Sequence, residues 1–432
     1  MTATRDDCAA RDADDPLAPL RDRFALDRAD AEGLIYLDGN SLGALPRATP
    51  GRIRQVVEDE WGADLVRSWN TAGWVDLPQR VGDKIARLVG AAPGGLIAAD
   101  STSVNLHKVL SAALAIAQAD APGRRRLVTE RSNFPGDLYI AEGVARAHGC
   151  ELAVVDDETV AAEIDDRLAV LVLSHVNYRT GRLYPMAGLN RAAHQAGALV
   201  VWDLAHSAAA VPVSLEAGGA EESADFAVGC GYKYLNGGPG APGFAWVHPR
   251  HTARLDRDGW RPPVPGWFGH EKPFEFTPEY RPGHGMSRFL YGTPPLLSLA
   301  ALECGVDSVL AADGLGGMAA IRQKSIALTE LFIEILEARC AGHGLTLVSP
   351  RDAGARGSQV TLSAAEGAFP IVQALIARGV IGDFRAPDGL RFGFTPLYTR
   401  FVDVWDAVDR FEGVLASGEW RQPAFSRRAA VT

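Results

Sequence analysis

Between residues 80 and 250 the chain alternates short β-branched runs with alanine-rich segments of helical period, and this alternation restricts the possible folds most. Helical period is read over 81–89, 104–119, 137–147 and 189–196, and strand pattern over 126–130, 152–155, 168–173 and 198–203. The runs AVLVLS (169–174) and ALVVWD (198–203) show no polar alternation, as expected of strands covered on both faces. The implied architecture is α/β, a mostly parallel central sheet with helices on both faces. No internal repeat is present, which sets aside solenoids and propellers.

Residues 249–295 are rich in Pro, Gly and aromatics with little periodicity, and a connection of that length is expected to line a site or a subunit contact. Helical period returns over 296–310 and 318–340, followed by strand pattern over 345–349 and 359–362, which reads as a smaller α+β domain. The expected division is a large domain of 50–295 and a small one made of 1–49 and 296–432.

The formal net charge of −10 argues against nucleic acid or an anionic membrane as the main partner, because both require a basic face. The one basic run, Arg124-Arg125-Arg126, is expected to be a solvated loop. Five dispersed cysteines without a CxxC pair suit free thiols in a reducing compartment and oppose a structural metal site. No apolar run approaches the ~20 residues needed to span a bilayer, and no signal-peptide pattern opens the chain, so a cytoplasmic protein is expected.

The chemistry concentrates in 225–247, DFAVGCGYKYLNGGPGAPGFAWV, where an apolar strand delivers Tyr232 and Lys233 to a glycine-rich turn. A partly desolvated amine gives up its proton more readily than one in water and can form an imine. Asp203 ends an apolar run and so falls at the carboxyl edge of a parallel strand, where open α/β sheets place ligands. A carboxylate there could keep a pyridine nitrogen protonated, making that ring an electron sink; it could also simply cap a helix. His206, three residues on, could support Asp203 or touch the same ring. Ser101, Thr102 and Ser103 precede a helical pattern, and hydroxyls with free amides at a helix N-terminus suit phosphate. Phe134, in SNFPGD (132–137), could stack on a cofactor face. The GGPGAPG loop lacks both the G-K-[ST] ending and GxGxxG spacing of nucleotide-binding loops. His248 and His251 in HPRH could chelate a metal only on a helix, which the intervening proline opposes, so a solvated loop is expected there.

Together these motifs resemble the kynureninase family of fold-type-I pyridoxal-phosphate enzymes. The resemblance runs through YLDGNSLG (36–43), TSVNLH (102–107), FPGD (134–137), DLAH (203–206), YKYLN (232–236), GWFGH (266–270), GTPP (292–295), Arg391 and PLY (396–398). It implies that Lys233 carries pyridoxal 5′-phosphate as a Schiff base, that Asp203 pairs with the pyridine nitrogen, and that Phe134 stacks on the ring. Thr102, Ser103 and Tyr232 would hold the phosphate, with Trp267 and Thr293 arriving from the other subunit of a homodimer. Pro135, Gly136, Asp137, Ser174 and His206 would complete the cofactor shell, without a metal. Arg391 would clamp the substrate α-carboxylate, with Asn40, Ser41 and Trp74 also at the substrate. The implied reaction is hydrolysis of L-kynurenine to anthranilate and L-alanine in tryptophan degradation, with Lys233 moving the Cα proton and Tyr232 serving as a further acid or base. Forms that prefer 3-hydroxykynurenine carry histidine near Trp74 and asparagine at Thr293, so a preference for the unhydroxylated substrate is expected. A cysteine desulfurase-like or aminotransferase-like enzyme of the same fold, and a non-catalytic scaffold, are the alternatives.

Overall fold

The computed structural model describes residues 3–428. Its central sheet has seven strands: β1 (Leu96–Ala98), β2 (Arg126–Glu130), β3 (Glu151–Val155), β4 (Leu168–Ser174), β5 (Leu199–Asp203), β6 (Phe226–Cys230) and β7 (Gly243–Val247). They lie in the order β1-β7-β6-β5-β4-β2-β3. Pairings from β6 through β3 are parallel, and β7 runs antiparallel to both its neighbours.

Alternate residues of each strand enter two separate cores, the physical basis of the uninterrupted apolar runs. In β4, Leu171 and Leu173 join one core while Val170 and Val172 join the other. The first core takes α1 (Leu77–Leu88), and the second takes α2 (Thr102–Asp120) and α3 (Pro135–Ala147); α4 (Met186–Gln195) lies with α1. Helix α2 starts where the Ser101 hydroxyl accepts from the Val104 amide at 3.4 Å, and α3 starts at Pro135, a position where the missing N–H is harmless.

Helix α5 (Leu296–Leu310) buries Leu299, Leu302, Val306 and Val309 in the first core, together with Leu17, Leu20 and Phe24 from the N-terminal segment. The sequence boundary at 295 thus falls just before a helix that packs on the central sheet. Beyond it, α6 (Gly317–Arg339), α7 (Ala368–Ala377) and α8 (Phe401–Ser417) surround an antiparallel sheet. Its strands β8 (Leu345–Leu347), β9 (Gln359–Ala364), β10 (Asp383–Arg385) and β11 (Gly389–Gly393) lie in the order β10-β11-β9-β8. Ile35–Tyr36 pairs in parallel with Val380–Ile381, tying the N-terminal segment to this region.

Two sequence expectations are corrected. Residues Pro249–Arg257 form a helix, not a solvated loop: Pro249 occupies its first position and the His248 ring accepts from the Arg250 amide at 3.0 Å. Nor is the arginine run wholly solvated, since Arg124 donates to the Ala196 carbonyl and Arg126 begins β2 and pairs with Glu163. All five cysteines are free thiols. Among the described residues no helix is long and apolar enough to cross a membrane, and no group of side chains is arranged to hold a metal ion.

Candidate active site

The parallel strands bring their carboxyl ends to one edge, and the site is built there. Ser174 ends β4 and Asp203 ends β5, and the two are register partners. Lys233 follows β6 by three residues and Phe134 follows β2 by four. The N-terminus of α2 closes the ring. A cavity of about 140 Å³ is lined by Thr102, Ser103, Phe134, Asp137, Ser174, Asp203, His206, Tyr232 and Lys233. These nine expected positions therefore share one space.

Lys233 Nζ lies 2.8 Å from His206 Nε2. Burial, reinforced by the charge of Lys233, pushes His206 well below the usual imidazole range, so the ring is neutral. Asp203 is buried, and its Oδ1 accepts from the Ala205 amide at 2.8 Å within a turn; no helix follows for it to cap. Asp137 stands beside it. Burial raises both carboxyls; the negative charge of Asp203 lifts Asp137 further, whereas Lys233 pulls Asp203 back down. Of the two, Asp137 is raised the further, while the charge of Lys233 favours the ionised form of Asp203. Burial also raises the Tyr232 phenol, which stays protonated at neutral pH. Phe134 leaves 47% of its surface exposed and meets Tyr178 edge-on, with centroids 5.3 Å apart.

Pyridoxal phosphate fits this set. Two buried polar atoms, Asp137 Oδ2 and His206 Nδ1, have no hydrogen-bond partner. The α2 N-terminus offers amides and hydroxyls with no competing side chain opposite, because Gly243 faces it: a Cβ there would come within 2.9 Å of the Thr102 amide nitrogen. Lys233 supplies the amine, and Asp203 a carboxylate for a ring nitrogen.

The other expected positions lie elsewhere in the single chain. Pro135 and Gly136 form the first turn of α3, behind Phe134. Arg391 is buried on β11, bonded to Asp383 and Ser41, and does not line the cavity. Asn40 is buried; its amide NH2 donates to Asp38 Oδ1 and its amide oxygen accepts from Arg391 Nε, each at 3.2 Å. The Trp74 indole donates to Glu60 Oε2 at 2.8 Å, and Glu60 lies in a π-helical segment, Val56–Ala63. Trp74 packs through Trp69 onto Phe268, next to Trp267, while Thr293 is exposed just before α5. His270 Nε2 lies 3.1 Å from the Glu279 carbonyl, away from the cavity.

Sequence reasoning missed Tyr178, Ala205, Ala241 and Gly243, which also line the cavity. It also missed Glu130, fully buried at the end of β2, where Oε1 accepts from the Ser174 amide at 3.1 Å and burial raises the carboxyl to about 8. Gly243 had a visible signal, lying in the glycine loop already singled out; Glu130 and Tyr178 had none.

The fold is similar to that of a solved cysteine desulfurase from Thermococcus onnurineus NA1. The two superpose with a TM-score of 0.74 at 17% identity, covering 92% of this chain and 98% of that one. The fold is thus that of the aminotransferase class V-like, fold-type-I group. Kynureninase from Burkholderia pseudomallei (strain 1106a) is 52% identical over 432 residues, 99% of this chain and 100% of the relative, and kynureninase from Pseudomonas fluorescens is 51% identical over the same span. A family model described as the kynureninase C-terminal domain matches residues 321–411. The chain belongs to the kynureninase family.

Proposed function

We infer that the protein binds pyridoxal 5′-phosphate on Lys233 and hydrolyses L-kynurenine to anthranilate and L-alanine. The observation that carries this is the convergence of Lys233, His206, Asp203 and the α2 N-terminus on one cavity, in a chain 52% identical to a kynureninase along its whole length. When bound, pyridoxal phosphate supplies an electron sink for the carbanion left after loss of the substrate's Cα proton.

Thr102 and Ser103 hold the phosphate with hydroxyls and helix amides, aided by Tyr232. Asp203, whose ionised form the charge of Lys233 favours, would hold the pyridine nitrogen in its protonated form. Phe134 would lie against the ring face, with Ser174 and His206 finishing the pocket wall. Lys233 removes the Cα proton, with neutral His206 as its adjacent hydrogen-bond partner. The protonated phenol of Tyr232 donates a proton in the later steps, after water has added to the γ-carbonyl and the Cβ–Cγ bond has broken. Arg391 binds the α-carboxylate, with Asn40 and Ser41 beside it, and Trp74 packs against the aniline ring.

The working form is a homodimer. Trp267, Phe274 and Phe276 form an exposed aromatic group, Phe276 at 77% exposure, and Trp61, Leu65 and Val66 add further exposed apolar surface. Apolar surface of this kind is the mark of a contact face, and Trp267 and Thr293 would enter the other subunit's site across it. Residues 50–295 act as the cofactor-binding unit, with 1–49 and 296–432 as the smaller one and α5 packed across the join. The protein works in the cytoplasm. A desulfurase reading is disfavoured by Cys304 and Cys340, which lie on or at the end of helices and whose thiols burial raises, Cys340 to about 12. The test is release of anthranilate and L-alanine in equal amounts from L-kynurenine by cofactor-loaded protein.

A further inference from the structure

Arg391 lies directly opposite Asp383 in the antiparallel pairing of β11 with β10. The side chains are buried to 1% and 2% exposure. Asp383 takes one whole edge of the guanidinium: Nε donates to Oδ1 at 2.8 Å, and Nη2 donates to Oδ2. The other edge meets only neutral acceptors. Nη1 donates to the Tyr178 carbonyl at 2.8 Å, and Nη2 donates to the Ser41 hydroxyl at 2.7 Å. Ser41 in turn donates to Asp383 Oδ2 at 2.8 Å, and Arg385 also pairs with that oxygen.

A guanidinium presents two edges that can each receive a carboxylate through parallel N–H bonds. The Nε/Nη2 edge is committed, because moving Asp383 away would strand a buried charge. The Nη1/Nη2 edge is held by a carbonyl and a hydroxyl, which an incoming carboxylate can replace. Tyr178, which supplies that carbonyl, lines the cavity beside Lys233 and packs edge-on against Phe134. The replaceable edge is therefore tied to the cavity wall. Burial alone would raise Asp383, but the charge and hydrogen bonds of Arg391 hold it below the usual carboxylate range, so the anchor stays ionised.

We propose that Asp383 is a positioning residue for carboxylate recognition: it grips Arg391 by the Nε/Nη2 edge and so turns the Nη1/Nη2 edge toward the α-carboxylate of the amino-acid substrate, with Ser41 as the partner that yields. This rests on the assignment of Arg391 as the carboxylate clamp made above. Ser41 and Asp383, 342 residues apart in sequence, thereby belong to one device.

The test uses the holoenzyme with Asp383→Asn, Asp383→Glu and Arg391→Gln. It reads KM and kcat for L-kynurenine beside the inhibition constant of the same molecule lacking its α-carboxylate. Asp383→Asn should raise KM about tenfold or more, the usual scale for removing one member of a buried charge pair. It should leave kcat within about threefold and the inhibition constant of the decarboxylated analogue within about twofold. Asp383→Glu should recover part of the loss. An unchanged KM in Asp383→Asn, or a parallel rise in the analogue's inhibition constant, would overturn the positioning role. If Arg391→Gln itself leaves KM unchanged, the clamp assignment falls as well; if Arg391→Gln raises KM while Asp383→Asn does not, the positioning role alone falls.

Discussion

Lys233 Nζ and His206 Nε2 are 2.8 Å apart, and His206 is the neutral member of the pair, desolvated by complete burial. The imidazole thus holds the amine toward the cavity without competing for charge. Replacing His206 with Phe removes that acceptor from a half-buried amine, a loss worth about 1 kcal/mol. The expected outcome is a folded protein whose affinity for pyridoxal phosphate, followed by visible absorbance, falls several-fold. Unchanged affinity would mean that Lys233 is oriented by other groups.

Glu130 makes stability depend on pH. Its carboxyl is raised to about 8 from 4.5 by burial, so between those values the folded state holds its proton more tightly than the unfolded chain. The contribution is complete below 4.5 and is lost as pH rises through 8, about 5 kcal/mol in all. Glu130→Gln cannot titrate, so its melting temperature should exceed that of the wild type by a margin that widens from pH 5 to pH 8.5. A constant margin would contradict the assignment.

At the opposite end of the sheet, Asp225 receives His194 at 2.8 Å, His251 at 2.7 Å and the Val200 amide at 2.9 Å, and pairs with Arg250. Burial alone would raise its carboxyl, yet the two imidazoles hold it far below the carboxylate range. That contribution is present above the unfolded value of 3.8 and is lost as pH falls below it toward the depressed folded value. Asp225→Asn should cost about 3 kcal/mol at pH 7, the scale of breaking a buried ion pair. Denaturation at pH 7 and at pH 3 should show this difference shrinking; an equal difference at both would contradict it. His194 is raised by the same contact despite its burial, so its share is full below 6.5 and fades as pH rises through its folded value.

Substrate preference is expected to depend on Trp74 and Thr293. The ratio of kcat/KM for L-kynurenine over 3-hydroxykynurenine should exceed one in the wild type. The double change Trp74→His, Thr293→Asn should shift that ratio toward the hydroxylated substrate by about tenfold, the worth of one well-placed polar contact. A wild type that favours 3-hydroxykynurenine would overturn the assignment.

The inner strands of the central sheet were legible because they are buried on both faces, which leaves apolar runs that no surface strand shows. Lys233 and Asp203 were legible because each follows or ends such a run, and the 101–103 cap because it precedes a long helical pattern. The helix at 249–257 was not, since Pro249 breaks helical pattern everywhere except at the first position it occupies. Asp383 was invisible for a different reason: its partner is set by the register of β10 on β11, and nothing local in GDFRAPDG distinguishes it from a surface turn residue. Glu130 likewise reads as a polar strand end, and only the approach of the Ser174 amide from the neighbouring strand gives it a buried partner.

The most direct measurement is anthranilate fluorescence after L-kynurenine is added to purified, cofactor-loaded protein, with Lys233→Ala run in parallel. The wild type should release anthranilate steadily, with L-alanine in equal amount, and Lys233→Ala should release essentially none. No anthranilate from the loaded wild type, or undiminished release from Lys233→Ala, would contradict the assignment of this chemistry to Lys233.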